Sequence, residues 1–342
     1  MNTIDLRSDT VTRPSGPMMA AMMNAEVGDD VFREDPSIIE LQDFAAALFG
    51  KQAALFCPSG TMTNQIAIKV HTRPGDDLIC DVNSHIYNYE GGGISANSGV
   101  QARLLTGNEG RLSADLIETN INPDFDWLTR TTLVCLENTV NRAGGSFYTG
   151  AQIKPIAELC RSKNLKLHLD GARIFNALTE TKEGPAEIGK YFDSVSICLS
   201  KGLGAPVGSL LLGDHEFIKS ARRVRKLFGG GMRQAGILAA AGLYALKNNV
   251  ARLKEDHSKA KLIEKELSAL PFVESVLPVY TNIVIFNLDK TLITGEAFEK
   301  LLAKNNIKIS AFGKQTIRLV THLDFTDEML QTTLKVLKEI KL

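Results

Sequence analysis

The 342-residue chain carries 39 basic and 39 acidic side chains, so no charge excess points toward nucleic acid or a membrane surface. Apolar residues make up 44% and charged residues 23%, enough for a large core, and no apolar run reaches the roughly 18 residues of a membrane span. This length suits about two domains, with a small molecule and further copies of the chain as the expected partners.

The opening "MNTIDLRSDT" has no basic stretch ahead of an apolar one and so does not read as a secretory signal. Asp35-Pro36 starts a helix. The carboxylate caps it, proline takes the first helical position, and Ile38, Leu41, Ala45 and Leu48 share one face until Gly50. Residues 53–57 read as a strand, and "PSGTMTNQIAIKVH" follows with Ser59-Gly60-Thr61 opening a helix. Backbone N–H groups free at a helix start, beside a residue without a side chain and two hydroxyls, form an anion cradle; an ordinary capped helix has the same local sequence. Residues 78–81 form the next strand, and "NSHIYNYEGGG" beyond it places His85 five residues before Glu90. The six histidines contain no H-x-H or H-E-x-x-H pair, so no histidine-held metal is expected. His85 in a glycine-rich loop is either idle at the surface or lies flat on a planar ring.

Residues 132–136 are a further strand, and the helical "QIKPIAELCRSKN" leads into another at 165–169. There Leu165, Leu167 and Leu169 alternate with Lys166 and His168, which predicts one buried face. The strand runs into Asp170, Gly171, Ala172 and Arg173. Strands at 195–199 and 207–212 follow, with Lys201 just beyond the first of them. Strands alternating with helices predict an α/β fold, a mostly parallel sheet covered by helices.

A lone Asp-Gly reads as a helix cap or a surface turn. Lys201 changes that, because an acid and a lysine about 30 residues apart, one βαβ step, both fall beyond the carboxyl ends of strands, where open α/β sheets bind ligands. Pyridoxal phosphate needs this pair. A lysine condenses with its aldehyde, and a carboxylate keeps the pyridine nitrogen protonated so that the ring can accept electrons. Arg173 is in reach of the cofactor's phenolate oxygen or of a substrate carboxylate. Gly202-x-Gly204 is no dinucleotide turn, since Pro206 leads into the strand-like "VGSLLLG" rather than a helix.

Beyond about residue 250 the texture changes. "ARLKEDHSKAKLIEKELSAL" is a charged amphipathic helix suited to bridging two units, followed by "TNIVIF", "GEAFEKLLAKN", "TIRLVT" and a closing helix led by Thr326. The expected division is a large domain over 1–250 and a smaller C-terminal α+β domain over 251–342. Cys57, Cys80, Cys135, Cys160 and Cys198 are odd in number, widely spaced and set in apolar runs, which fits reduced core thiols and a cytoplasmic location.

Seven blocks together, "DLRSDTVTRP", "VGDDVFREDPS", "PSGTMTNQ", "HIYNYEGGG", "HLDGARIFNA", "SKGLGAPVGS" and "GGGMRQAG", resemble the low-specificity L-threonine aldolases. These are pyridoxal-phosphate lyases of the aspartate-aminotransferase fold (fold type I). The resemblance is dense over the first 250 residues and looser beyond, through "TNIV" and "IRLVTHLD". It implies cleavage of a β-hydroxy-α-amino acid to glycine and an aldehyde, with Lys201 joined to the cofactor, Asp170 on its ring nitrogen and Arg173 on its phenolate side. It also implies Gly60 and Thr61 at the phosphate, His85 stacked on the ring, and Ser8, Arg173 and Arg318 at the substrate carboxylate. Lys226 and Arg233 would come from a neighbouring subunit of a dimer or tetramer. His85, alone or with a water shared with Glu90, is the candidate general base. In the family a histidine ten residues ahead of "ENT" approaches the β-hydroxyl; here Trp127 stands at that place, and Val140 stands where a second histidine often follows the block. β-Elimination, transamination and a non-catalytic cofactor-binding homologue are the alternatives, the last disfavoured by the complete Asp170, Lys201 and Arg173 set.

Overall fold

The computed structural model describes residues 3–341. Its strands, in chain order, are β1 (Ile4–Asp5), β2 (Ala53–Cys57), β3 (Asp76–Asp81), β4 (Gln101–Leu105), β5 (Arg130–Glu137), β6 (Lys166–Gly171), β7 (Ser194–Cys198), β8 (Ser209–Gly213), β9 (Val273–Val276), β10 (Ile283–Leu288), β11 (Ile307–Lys308), β12 (Ser310–Ala311) and β13 (Thr316–Val320).

Seven of them form the central sheet in the order β2-β8-β7-β6-β5-β3-β4, parallel except for β8, which runs against both neighbours. The α/β expectation is met. β4 went unpredicted for a physical reason. It is an edge strand in which only Leu105 is fully buried, so its sequence carries little hydrophobic pattern. The helix expected at Asp35-Pro36 spans Pro36–Leu48; Asp35 accepts the Ile38 N–H at 3.0 Å, and Gly50 ends the turn at φ +62°.

The second unit is the antiparallel sheet β12-β13-β10-β9. The charged helix, Leu253–Leu267, packs on β10 and the Asp327–Glu339 helix, and His257 Nε2 lies 2.9 Å from Asn176 Oδ1. β1 pairs with β11, and Ile4 and Leu6 join the core of this second unit. β1 therefore belongs with the C-terminal unit, and Ser8 and Asp9 beyond it lie at the junction of the two. All five cysteines are buried free thiols.

Candidate active site

β5, β6 and β7 end side by side, with Glu137 in register with Asp170 and Asp170 with Ser196. The Gly60–His71 helix lies across this face. Thr63 Oγ1 is 2.6 Å from Ser196 Oγ, and the Asn64 amide donates to Asp170 Oδ2 and Glu90 Oε1, both at 2.9 Å. The alternation in β6 thus has a different cause from the one expected. His168 is wholly buried, so both faces of the strand are inside, one apolar and one polar, and the polar face builds the site. A parallel strand covered by helices on both sides has no solvent face.

His85 opens a single helical turn after β3. Its backbone N–H donates to Glu137 Oε2 at 2.6 Å and its Nδ1–H to Glu90 Oε1 at 3.0 Å, while Gln65 donates to the other Glu90 oxygen at 2.7 Å. His85, Glu90 and Asp170 present polar atoms within 4.8 Å of one another. Burial opposes the charged imidazole, but Glu90 and Asp170 outweigh it and hold the His85 pKa above its usual value. Glu137, which also accepts the Asn141 N–H at 2.8 Å, is pushed up to about 7 by burial and by Asp170. Lys201 sits in the turn after β7. Its carbonyl accepts the Thr12 hydroxyl at 3.2 Å, which ties this turn to the N-terminal segment that carries Asp9.

The two arginines differ. Arg173 is buried and forked on Asp9, with Nε and Nη2 each 2.7 Å from a carboxylate oxygen. Despite burial, that cation holds the Asp9 carboxyl far below the usual range. Arg173 Nη1 also donates to Asn141 Oδ1 at 3.3 Å, which accepts Arg318 Nη1 at 2.9 Å. Arg318 makes no ion pair among the described residues. Its Nη2 reaches the Arg7 carbonyl at 3.2 Å, its guanidinium covers the Phe312 ring at 4.7 Å, and its buried Nε has no partner among the described residues. Burial and the neighbouring Arg173 push its pKa down to about 10. A half-buried cation with a buried donor unmet suits an incoming carboxylate. Ser8 stands beside it, accepting the Thr10 N–H at 3.2 Å.

The donor set fits pyridoxal phosphate. Gly60 and Thr61 start the helix above the sheet with Ser59 as its cap, and a Cβ added at Gly60 would meet Cys198 Sγ at 2.6 Å, so only glycine allows this close approach. Asp170 takes the Ala172 N–H on one oxygen at 3.1 Å and Asn64 on the other, which leaves it acceptor capacity for a protonated ring nitrogen.

Residues 5–291 match the model of the beta-eliminating lyase family. The chain is 45% identical over 328 residues to the low specificity L-threonine aldolase of Escherichia coli (strain K12), covering 96% of each, and 41% identical over 348 residues to low-specificity L-threonine aldolase 1 of Arabidopsis thaliana, covering 100% of this chain and 97% of that one. Among solved structures, a Leishmania major threonine aldolase superposes with a TM-score of 0.84 at 22% identity, over 98% of both chains.

This chain belongs to the beta-eliminating lyase family, with the low-specificity L-threonine aldolases. It is a pyridoxal-phosphate-dependent lyase of fold type I. The structure brings together Ser8, Gly60, His85, Glu90, Asp170, Arg173, Lys201 and Arg318. Thr61 is exposed at the rim. Lys226 and Arg233 are also exposed; Arg233 pairs with Asp29 at 3.0 Å, and the intervening Gly230 abuts Met62 beside the helix start.

Trp127 lies elsewhere. It is 74% exposed and stacked on Phe125, at the amino end of β5, whereas the site is at the carboxyl end; eight residues at about 3.3 Å each separate the two within one chain. Val140 is buried and bridges to Ser146. The sequence reading missed Asp9, Asn64, Glu137, Asn141 and His168. Asp9 and Asn64 sat inside quoted blocks, and a buried acid next to a buried arginine was the available signal.

Proposed function

We propose that this lyase splits the Cα–Cβ bond of a β-hydroxy-α-amino acid (L-threonine, L-allo-threonine or an aryl analogue such as L-phenylserine) to glycine and an aldehyde. The observation that carries the reading is Arg318, a half-buried cation that makes no ion pair among the described residues and is tied through Asn141 to the Arg173–Asp9 fork, next to the His85, Glu90 and Asp170 cluster at the carboxyl end of the parallel sheet. Lys201, Asp170, His85 and the N–H groups of Gly60 and Thr61 would hold pyridoxal phosphate. Bound there, it supplies the ring that accepts the electron pair released when a bond to Cα breaks.

Arg318 and Ser8 take the substrate carboxylate, which fixes the orientation about Cα and so selects the bond that breaks. Arg173, neutralised by Asp9, orients Asn141 and through it Arg318. His85 takes the β-hydroxyl proton at Nε2, because its Nδ1–H is committed to Glu90. The hydroxyl-bearing carbon leaves as the aldehyde, and Cα gains a proton to become glycine. A placed base of this kind contributes roughly 10²–10⁴-fold.

Lys201→Ala is expected to abolish both glycine release and the visible absorbance of bound cofactor; turnover in that variant would overturn the assignment. Glycine, ammonia and keto acid measured side by side on the three amino acids separate retro-aldol cleavage from elimination and transamination. The working form is a cytoplasmic homo-oligomer, dimer or tetramer, in which Lys226 and Arg233 of one subunit face the site of another. Exposed Met19, Met23, Val27, Phe32 and Ile237, on or between the mutually packed helices Gly16–Met23, Pro36–Leu48 and Gly236–Asn248, support it. Full activity in a species that sediments as a monomer would contradict it.

A further inference from the structure

We infer that His168 is a positioning residue that, with Ser194 and His71, fixes the Asn64 amide so that both its N–H bonds point at Asp170 and Glu90. The inference rests on the reading that Asp170 faces the cofactor ring.

The chain of contacts is continuous and buried. His71 Nε2 lies 2.8 Å from Ser194 Oγ, Ser194 Oγ lies 2.8 Å from His168 Nδ1, and His168 Nε2 lies 3.1 Å from Asn64 Oδ1. Asn64 Nδ2 then donates to Asp170 and to Glu90. Each of these groups has few ways to satisfy itself. The Asn64 oxygen needs a donor, so the His168 proton sits on Nε2. Nδ1 is then an acceptor and takes the Ser194 hydroxyl proton, and Ser194 Oγ in turn accepts the His71 Nε2–H. Every hydrogen bond runs one way, from His71 to the two carboxylates.

The opposite sense would cost two charges. With His168 protonated on Nδ1, its Nε2 would need a donor, and the amide would have to turn its NH₂ group toward it. The Asn64 oxygen would then face Asp170 Oδ2 and Glu90 Oε1 together. That arrangement is tolerable only if both acids carry protons. The sense of the chain and the ionisation of the acids are therefore linked. An ionised Asp170 keeps the ring nitrogen protonated, and an ionised Glu90 accepts Nδ1–H of His85 and leaves Nε2 as its base. His168 touches neither cofactor nor substrate, and it acts through Asn64.

The test uses the full-length protein, stripped of cofactor and reloaded with pyridoxal phosphate. In His168→Leu, which cannot donate, the dissociation constant for pyridoxal phosphate is expected to rise about three- to tenfold, the usual weight of a hydrogen bond between neutral groups. The visible absorbance of the bound cofactor should also acquire a pH dependence between 5 and 8 that the wild type lacks, with kcat falling more than KM rises. His168→Gln, whose amide can donate to Asn64 and accept from Ser194, should recover most of both. Should the leucine variant fail to fold, Ser194→Ala, which frees the His168 tautomer without changing the core, must show the same pH dependence with a smaller loss of affinity.

Wild-type affinity and pH profile in a folded His168→Leu or Ser194→Ala protein, or a glutamine variant no better than leucine, would overturn the inference. Asp170→Asn is run alongside. If it too leaves cofactor binding untouched, the reading of Asp170 fails; if only the His168 and Ser194 variants are silent, the site reading stands and the positioning role falls.

Discussion

At the residue scale the two arginines of the site separate stability from recognition. Arg173 and Asp9 neutralise each other in a fully buried fork, so removing either partner leaves a bare charge in the core. Arg173→Leu is expected to cost about 3–5 kcal/mol of unfolding free energy, because Asp9 loses the cation that keeps it ionised. Arg318 is the reverse case. It is a cation held partly against its own ionisation, with Nε unmet and no ion pair among the described residues. Arg318→Leu should leave the unfolding transition unchanged or slightly raised, while kcat/KM for an amino-acid substrate falls about ten- to a hundredfold through the lost charge-assisted contact. Unfolding curves and steady-state kinetics on both variants check the pair. If Arg318→Leu proves to be the unstable one, the carboxylate has been assigned to the wrong arginine.

At the scale of elements, the Gly60–His71 helix does most of the assembling. Its first turn offers N–H groups, Thr63 meets Ser196 of β7, Asn64 meets Asp170 of β6, and His71 closes on Ser194 at the far end. Gly60→Ala should push the helix off β7, where the new Cβ would meet Cys198 Sγ, at a cost of about 1–3 kcal/mol, with weaker cofactor binding besides. Adding Cys198→Ala removes the clashing sulfur and should restore both; a double variant as poor as the single would point instead to a strained backbone at residue 60. Much of this architecture was legible in the sequence, because β2, β3, β5, β6, β7 and β8 are buried apolar runs and the helices between them are periodic. Asp170, Lys201 and Gly60 stand out as candidates too, since each sits at a break between two such runs. What escaped was the polar interior. His168 read as an outward residue because alternation alone cannot tell a solvent face from a second buried one. Asp9, Glu137 and Asn141 escaped because their partners lie 164, 52 and 177 residues away in the chain, and no local pattern encodes such distances. Trp127 shows the opposite limit. Its place in the chain was clear, but not that a whole strand would separate it from the site.

At the scale of the whole molecule, the buried titratable groups set how stability follows pH, and they pull in opposite directions. His71 is held at about 3 by burial and by its neighbour His168, and His168 at about 4 by burial, against 6.5 for an unfolded imidazole. Below about 6.5 the unfolded chain binds protons that the folded one refuses, so this pair's contribution is complete above that value and is lost as pH falls toward the folded pKa values. Glu137 has the other sign. Held at about 7 against an ordinary 4.5, it keeps a proton that the unfolded chain gives up, so its contribution is complete below 4.5 and is lost as pH rises to about 7. The wild-type profile between pH 5.5 and 7.5 is therefore a difference of terms and flatter than either. Subtraction separates them. His71→Gln, whose amide still reaches Ser194, should lose about 1 kcal/mol less than the wild type on going from pH 7.5 to 5.5, and Glu137→Gln about 2 kcal/mol more. Urea unfolding at a fixed protein concentration, which keeps any subunit association constant, reads both. Two variant profiles parallel to the wild type would mean that these groups titrate alike in the folded and unfolded chain, and that the polar layer under Asp170 is open to water rather than sealed.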